Sequence, residues 1–392
     1  MSNPKDIFKK HQAQTFTSAS CLEVKSAKGS YITDINGNKY LDFVAGVSAC
    51  TLGHSNPIIT GAIKKQLDKH SHVMVYGEYI QSPQYKLAKL LAENLPPSLS
   101  TTYFTNSGTE AIEGAMKLAK RSTKRSEIIS CKQSYHGSTH GSLSIMGNEQ
   151  HKSNYRPLLP NCNQITFNNN LLDKISEHTA AVVIEPIQGA TGFITPKNNF
   201  LKNVRDKCTK TGTILIFDEI QSCFGRLGTM FGFQKYEVIP DILCIAKGMG
   251  AGMPIGAFIS SYKLMTLLSF NPQFGHITTF GGHPVNCAAS LACLQHLISS
   301  SLIKEVSHKE KLFREHLCHS KIKEIRGAGL MLSIELNDEI LAKEIVERSL
   351  INGLILFYFL FTKTAIRITP PLTISDNEII KGCNIIKKIL DS

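Results

Sequence analysis

Five short stretches put residues able to do chemistry where apolar runs stop. Thr105-Asn106-Ser107-Gly108-Thr109-Glu110-Ala111 places a small, glycine-containing turn at the head of a helical pattern. Free backbone amides and the helix dipole make such a turn an anion site, although an ordinary N-cap by Ser107 or Thr109 is spelled the same way. Ser134-Tyr135-His136-Gly137-Ser138 offers a ring that could cover one face of a flat heterocycle or simply pack in a loop. Glu185, in Ile184-Glu185-Pro186-Ile187-Gln188-Gly189, and Asp218, after Ile214-Leu215-Ile216-Phe217, are carboxylates at the ends of buried runs. A buried carboxylate is costly without a partner, which a protonated pyridine nitrogen would supply; capping of the next helix is the plainer role for Asp218. Lys247 directly follows the apolar run 242–246 and precedes Gly248-Met249-Gly250-Ala251-Gly252. A partly buried lysine has a lowered pKa and can form a Schiff base. The glycine run is neither a Walker A loop nor GxGxxG, which argues against a nucleotide site.

Each stretch is weak alone, but their order carries weight. A phosphate turn, a stacking aromatic, a buried acid and a buried lysine, each after a strand, are the protein groups that pyridoxal phosphate needs. The elements that must hold them read as strands near 102–104, 127–131, 181–185, 213–217 and 242–246, with helical patterns at 109–121 and 199–211. In the first helix Ala111, Ile112, Ala115, Met116 and Ala119 form one apolar face. Near-continuous apolar strands separated by helices predict an α/β fold with a parallel sheet covered on both sides, and ligands in such sheets sit beyond the carboxyl ends of the strands. Near the N-terminus, residues 27–34, Asn36-Gly37-Asn38 and Lys39-Tyr40-Leu41 read as a hairpin. The expected division is 1–45 as the N-terminal part of a small domain, 46–285 as the large domain and 286–392 as the rest of the small domain, ending in a helix over 376–390.

The bulk composition sets limits on function. At 392 residues, 42% hydrophobic and 19% charged, the chain is a folded globular protein with room for two domains. Its net charge of +12 comes from scattered lysines without a basic stripe, so neither a nucleic-acid nor a membrane partner is expected. The eleven cysteines form no CxxC pair and no metal-ligand spacing; they read as small hydrophobes in a reducing compartment, and no metal is expected. The polar N-terminus lacks a signal-peptide core and the most apolar stretch, 354–361, is short, so the protein is expected in the cytoplasm.

The ordered set NSGTEA (106–111), YHG (135–137), EPIQG (185–189), DEIQ (218–221), AKGMGAGMPIGA (246–257), TTFGGHP (278–284) and RITPPLTI (367–374) resembles the class III (subgroup II) aminotransferases of fold type I, near the acetylornithine, ornithine and 4-aminobutyrate enzymes. The resemblance implies a large domain with a mainly parallel seven-stranded sheet, a smaller α+β domain from both chain ends, pyridoxal 5′-phosphate as cofactor, and a homodimer with shared active sites. It implies that Lys247 carries the cofactor and moves the proton, and that Asp218 pairs with the ring nitrogen. Ser107, Gly108 and Thr109 would seat the phosphate, with Tyr135 and His136 at the ring, Glu185 nearby and Gln221 at the ring hydroxyl. Thr279 would reach the partner subunit's cofactor, Arg367 would clamp a substrate carboxylate, and Tyr76 and Glu78 would stand at the substrate mouth. The implied reaction moves an amino group from an amino acid or ω-amino compound to a 2-oxo acid such as 2-oxoglutarate.

Two positions depart from the ornithine-type pattern: Ser138 stands where many relatives have Arg, and Ala190 where many have a gating Glu. An ungated Arg367 would stay available for carboxylates in both half-reactions, and Tyr135-His136-Gly137-Ser138-Thr139 resembles the broader ω-amine enzymes. The alternatives are an ω-amine:pyruvate-type aminotransferase, an aminomutase, or a non-catalytic protein that binds the cofactor.

Overall fold

The computed structural model describes residues 3–17 and 20–392. Among these, the strands are β1 (Val24–Lys28), β2 (Tyr31–Asp34), β3 (Lys39–Asp42), β4 (Thr101–Thr105), β5 (Glu127–Cys131), β6 (Cys162–Ile165), β7 (Thr179–Ile184), β8 (Ile214–Asp218), β9 (Ile242–Ile245), β10 (Gly256–Ser260), β11 (Glu324–Ala328), β12 (Met331–Glu335), β13 (Leu354–Ile355), β14 (Phe357–Tyr358) and β15 (Ala365–Ile368). The large sheet has the order β4-β10-β9-β8-β7-β5-β6, and β10 alone runs against its neighbours. This is the mainly parallel, seven-stranded α/β architecture expected from the sequence.

The central strands are apolar throughout because both faces are covered. Val182, Ile184, Leu215, Phe217, Leu243 and Ile245 face one layer, which includes Leu201, Val204 and Cys208 of the helix Phe200–Thr211. The residues between them, Ala181, Val183, Ile216, Ile242 and Cys244, face Ile112, Ala115, Met116 and Ala119 of the helix Gly108–Thr123. The two-residue side-chain period of a strand thus divides one run of hydrophobes between two cores. Gly114 lets that second helix lie close on the sheet: a Cβ there would stand 2.3 Å from the ring of Phe258.

Two further sheets lie outside this one. β1-β2-β3-β13 joins the two chain ends, since β13 pairs in parallel with β3, and β11-β12-β15-β14 carries Arg367. The helix Pro284–Ser299, which straddles residue 286, packs on Pro57–Leu67, Ser82–Glu93 and the turn Lys247–Gly250. The arm expected as continuous from 27 to 34 is broken, because Gly29 turns at φ +58° and bonds with His54 instead, giving a three-stranded meander. Of the eleven cysteines, seven are buried. No helix among the described residues is long and apolar enough to cross a membrane.

Candidate active site

Because β4, β5, β7, β8 and β9 run in the same direction, the residues following them converge at one edge of the sheet. A cavity of ≈ 1260 Å³ opens there, lined by Ser107, Gly108, Thr109, Tyr135, His136, Glu185, Asp218, Gln221, Lys247 and Arg367 among others. Ten of the thirteen site residues expected from the sequence therefore come together. Tyr76, Glu78 and Thr279 are exposed and do not line this cavity within one chain.

Asp218 is buried, and its Oδ2 lies 2.8 Å from His136 Nδ1, while its Oδ1 accepts the Ile220 amide at 3.1 Å. Burial pulls the His136 pKa down, but the hydrogen bond to Asp218 and its charge more than compensate and raise it. His136 Nε2 is buried without a protein partner. Glu185 is also buried; its two oxygens accept the amides of Gly189 at 2.8 Å and Tyr135 at 3.3 Å. Burial raises this carboxyl to about 7, with the Asp218 charge acting in the same direction and His136 opposing it.

Lys247 begins a short turn immediately after β9 and takes φ +46°, a left-handed conformation that costs a non-glycine residue on the order of 1–2 kcal/mol. Strain of this kind persists where the surroundings fix the residue for a purpose. Burial holds its ammonium below the usual lysine range; Asp218 and Glu185 oppose that shift and the Arg367 cation reinforces it. Four consecutive left-handed residues, Ala45 to Ser48, form another strained wall; Val47 lines the cavity and Ser48 Oγ accepts Gln221 Nε2 at 3.2 Å.

At the helix head the N-cap reading holds. Ser107 is an N-cap whose Oγ accepts the Glu110 amide at 3.3 Å, and its carbonyl accepts the Ala111 amide. The amides of Gly108 and Thr109 have no intrahelical acceptor and belong to cavity-lining residues. Arg367 projects from β15, with its guanidinium between Phe193, at 5.1 Å, and Phe359, at 4.6 Å. Its Nη2 reaches Gly189 O at 3.5 Å, whereas Nε and Nη1 are buried and unpartnered. Burial brings its pKa to about 10, with Glu185 opposing. The aromatic pair around Arg367 had no recognisable spacing in the sequence, because Phe193 and Phe359 arrive from distant segments.

These donors fit a flat, phosphorylated aldehyde with a ring nitrogen. Amides at a helix head suit its phosphate, Tyr135 its face, Asp218 its nitrogen and Lys247 its carbonyl carbon. Arg367 is left for a second anion.

Known proteins agree. The family model described as aminotransferase class-III matches residues 13–390. The chain is 37% identical to the acetylornithine aminotransferase of Clostridium acetobutylicum over 92% of this chain and 94% of that one. It is also 37% identical to that of Methanocaldococcus jannaschii, over 95% and 94%. Among solved structures it resembles an ornithine aminotransferase of Toxoplasma gondii, with a TM-score of 0.90 and 28% identity over 98% and 94% of the two chains. It likewise resembles a PLP-bound amine transaminase of an uncultivated Pseudomonas species, with a TM-score of 0.88 and 26% identity over 97% and 98%. The match extends nearly end to end, and the chain belongs to the class-III aminotransferases, enzymes that move amino groups with pyridoxal phosphate.

Proposed function

We propose that the amino donor is an ω-amino compound of the acetylornithine kind, with its α-nitrogen acylated and its terminal amine transferred, and that 2-oxoglutarate is the acceptor. The observation that carries this reading is the buried, unpartnered edge of Arg367 facing the same cavity as Lys247. A guanidinium in that state is costly unless substrate completes it, and a carboxylate is the planar group it matches. The acids lining the cavity are Glu185, Asp218 and Glu339, and Glu339 is bonded to Lys363 at 2.9 Å. Within one chain the second ammonium of ornithine would find no free carboxylate away from the cofactor seat. Relatives bearing the acetylornithine name support the same choice, and the ω-amine, aminomutase and non-catalytic alternatives are not favoured.

Bound pyridoxal phosphate supplies an electron sink for the bond broken at the substrate carbon. The chain's own groups do the rest. Lys247 Nζ, uncharged more readily than an ordinary lysine, would hold the cofactor's aldehyde carbon until the donor amine displaces it; once released, it would accept the proton from the substrate carbon and deliver it to the cofactor carbon across the intervening nitrogen. Asp218, held by His136, presents a carboxylate to the ring nitrogen. Gly108 and Thr109 would seat the phosphate, with Ser107 capping their helix, and Tyr135 and Gln221 would stand beside the ring.

The same reading assigns a homodimer. Tyr76, Glu78 and Thr279 lie on loops that expose Tyr79, Ile80, Phe274, Ile277 and Phe280, an apolar surface that a second copy would bury. In that assembly Thr279 serves the partner's phosphate and Tyr76 and Glu78 border the partner's substrate mouth. The mostly buried cysteines suit a cytoplasmic enzyme.

The test compares donors by glutamate formed from 2-oxoglutarate. Acetylornithine should outperform ornithine, 4-aminobutyrate, β-alanine and simple amines. Arg367→Lys should raise the KM for acetylornithine and for 2-oxoglutarate alike by roughly 10- to 100-fold, the value of a hydrogen bond to a charged group. Ornithine as the best donor, or unchanged KM values, would overturn the proposal.

A further inference from the structure

Next to the helix head, Thr109 is tied to a cluster of further groups to which the reaction as described gives no role. Thr109 Oγ1 lies 2.8 Å from Thr139 Oγ1 and 2.6 Å from Ser142 Oγ, and those two hydroxyls are 2.8 Å apart. Ser142 Oγ is also 3.2 Å from the Thr139 carbonyl. The cluster ends on Glu113, whose Oε1 is 2.5 Å from Thr139 Oγ1 and 3.1 Å from the Ser142 amide. Glycines make room for it: a Cβ at Gly137 would stand 2.2 Å from Thr109 Oγ1, and one at Gly141 would stand 2.1 Å from Glu113 Oε2.

Counting protons gives the cluster a direction. A backbone amide only donates, so the Ser142 amide fixes Glu113 Oε1 as an acceptor. Thr139, touching that same oxygen, must then donate its single hydroxyl proton to Glu113. Toward Thr109 and Ser142, Thr139 Oγ1 is left as an acceptor only and cannot supply the proton in either contact. Ser142 Oγ has two acceptors for its proton, the Thr139 carbonyl at 3.2 Å and Thr109 Oγ1 at the shorter 2.6 Å; when it donates to Thr109, the Thr109 proton is left to go either to Thr139 Oγ1 at 2.8 Å or outward to an anion in the cavity.

We propose that Glu113 is a positioning residue for the cofactor: acting through Thr139 and Ser142, it sets the Thr109 hydroxyl to donate to the phosphate. The proposal rests on Gly108 and Thr109 being the phosphate seat. Glu113 itself is absent from the cavity lining, so its effect is indirect. Glu113→Gln replaces an obligate acceptor with a side chain that also donates, which releases Thr139 and scrambles the order.

The experiment uses the holoenzyme and reads the pyridoxal phosphate dissociation constant, the ³¹P resonance of the bound phosphate, and kcat at saturating cofactor. Glu113→Gln should weaken cofactor binding about fivefold, the value of one ordinary hydrogen bond, and move the ³¹P resonance. Its kcat at saturating cofactor should stay near wild type. Thr139→Val, which breaks the same link from the other side, should have the same effect. Thr109→Val should weaken cofactor binding at least as much, and adding Glu113→Gln to Thr109→Val should weaken it no further. Wild-type binding in Glu113→Gln and Thr139→Val, or losses that add to that of Thr109→Val, would overturn the proposal while leaving the seat standing. A Thr109→Val enzyme that binds cofactor normally would overturn the seat, and this proposal with it.

Discussion

Glu185 shows how a single side chain links the site to stability. Its carboxyl is buried beside Asp218 and raised to about 7 from an ordinary 4.5. The folded chain therefore holds a proton there that the unfolded chain has released. Its contribution to stability is full below 4.5, falls as pH rises, and is lost once pH passes about 7. Glu219, raised to about 8 while accepting the Gly232 and Phe233 amides, acts in the same direction. The informative quantity is thus the difference between wild type and Glu185→Gln. In the cofactor-free protein, the melting temperature of the variant should decline less steeply than that of wild type between about pH 5 and 7, a window set by the two ionisation states of this group. Parallel profiles would mean that Glu185 is not held protonated.

Among elements, the helix Gly108–Thr123 and the turn after β8 meet at close quarters, and a glycine allows it. A Cβ on Gly108 would stand 2.6 Å from Ile220 Cδ1, 2.9 Å from Cγ1 and 3.0 Å from Cγ2, so rotating one methyl does not relieve the clash. Ile220 donates its amide to Asp218 Oδ1, which joins the phosphate end of the cavity to the acid end. Gly108→Ala should displace one or the other and weaken cofactor binding at least fivefold, in line with the roughly 1–3 kcal/mol of an overpacked contact. Its far-ultraviolet circular dichroism should be unchanged. Adding Ile220→Ala should restore most of the affinity, and a failure to do so would show that close approach is not the reason for the glycine. At this scale much was legible in advance. β5 has the expected bounds, and β4, β7, β8 and β9 lie within two residues of theirs, because each carries consecutive apolar residues. β6 and β10 were not foreseen. Cys162-Asn163-Gln164-Ile165 is a half-exposed edge strand without an apolar run, and Gly256–Ser260 is masked by the glycines and proline before it. The Glu113 cluster was equally invisible, since Thr109, Glu113, Thr139 and Ser142 are scattered in sequence and ordinary as residue types. The bond between His136 and Asp218 depends on β5 and β8 lying on either side of β7, which no local pattern encodes.

Across the whole molecule, the distribution of site residues leads to a test of assembly. Lys247 lines the cavity of its own chain, whereas Thr279 sits on an exposed loop that does not reach that cavity, close to Phe274 and Phe280, each more than half exposed. If two copies meet on this surface, each active site takes Lys247 from one subunit and Thr279 from the other. Lys247→Ala removes the nucleophile, and Thr279→Asp places a negative charge against the phosphate; homodimers of either variant should be inactive. In a mixed dimer the two lesions fall on one site: the chain lacking Lys247 faces the partner bearing Asp at 279. The other site combines an intact Lys247 with an intact Thr279. Random exchange makes about half of the dimers mixed, each with one native site, so about a quarter of the wild-type activity should return on mixing two inactive proteins. That activity should appear at the rate of subunit exchange, measured in parallel by fluorescence transfer between labelled chains. Sites built within single chains would give no recovery at any mixing ratio, because every cavity would then carry one lesion or the other.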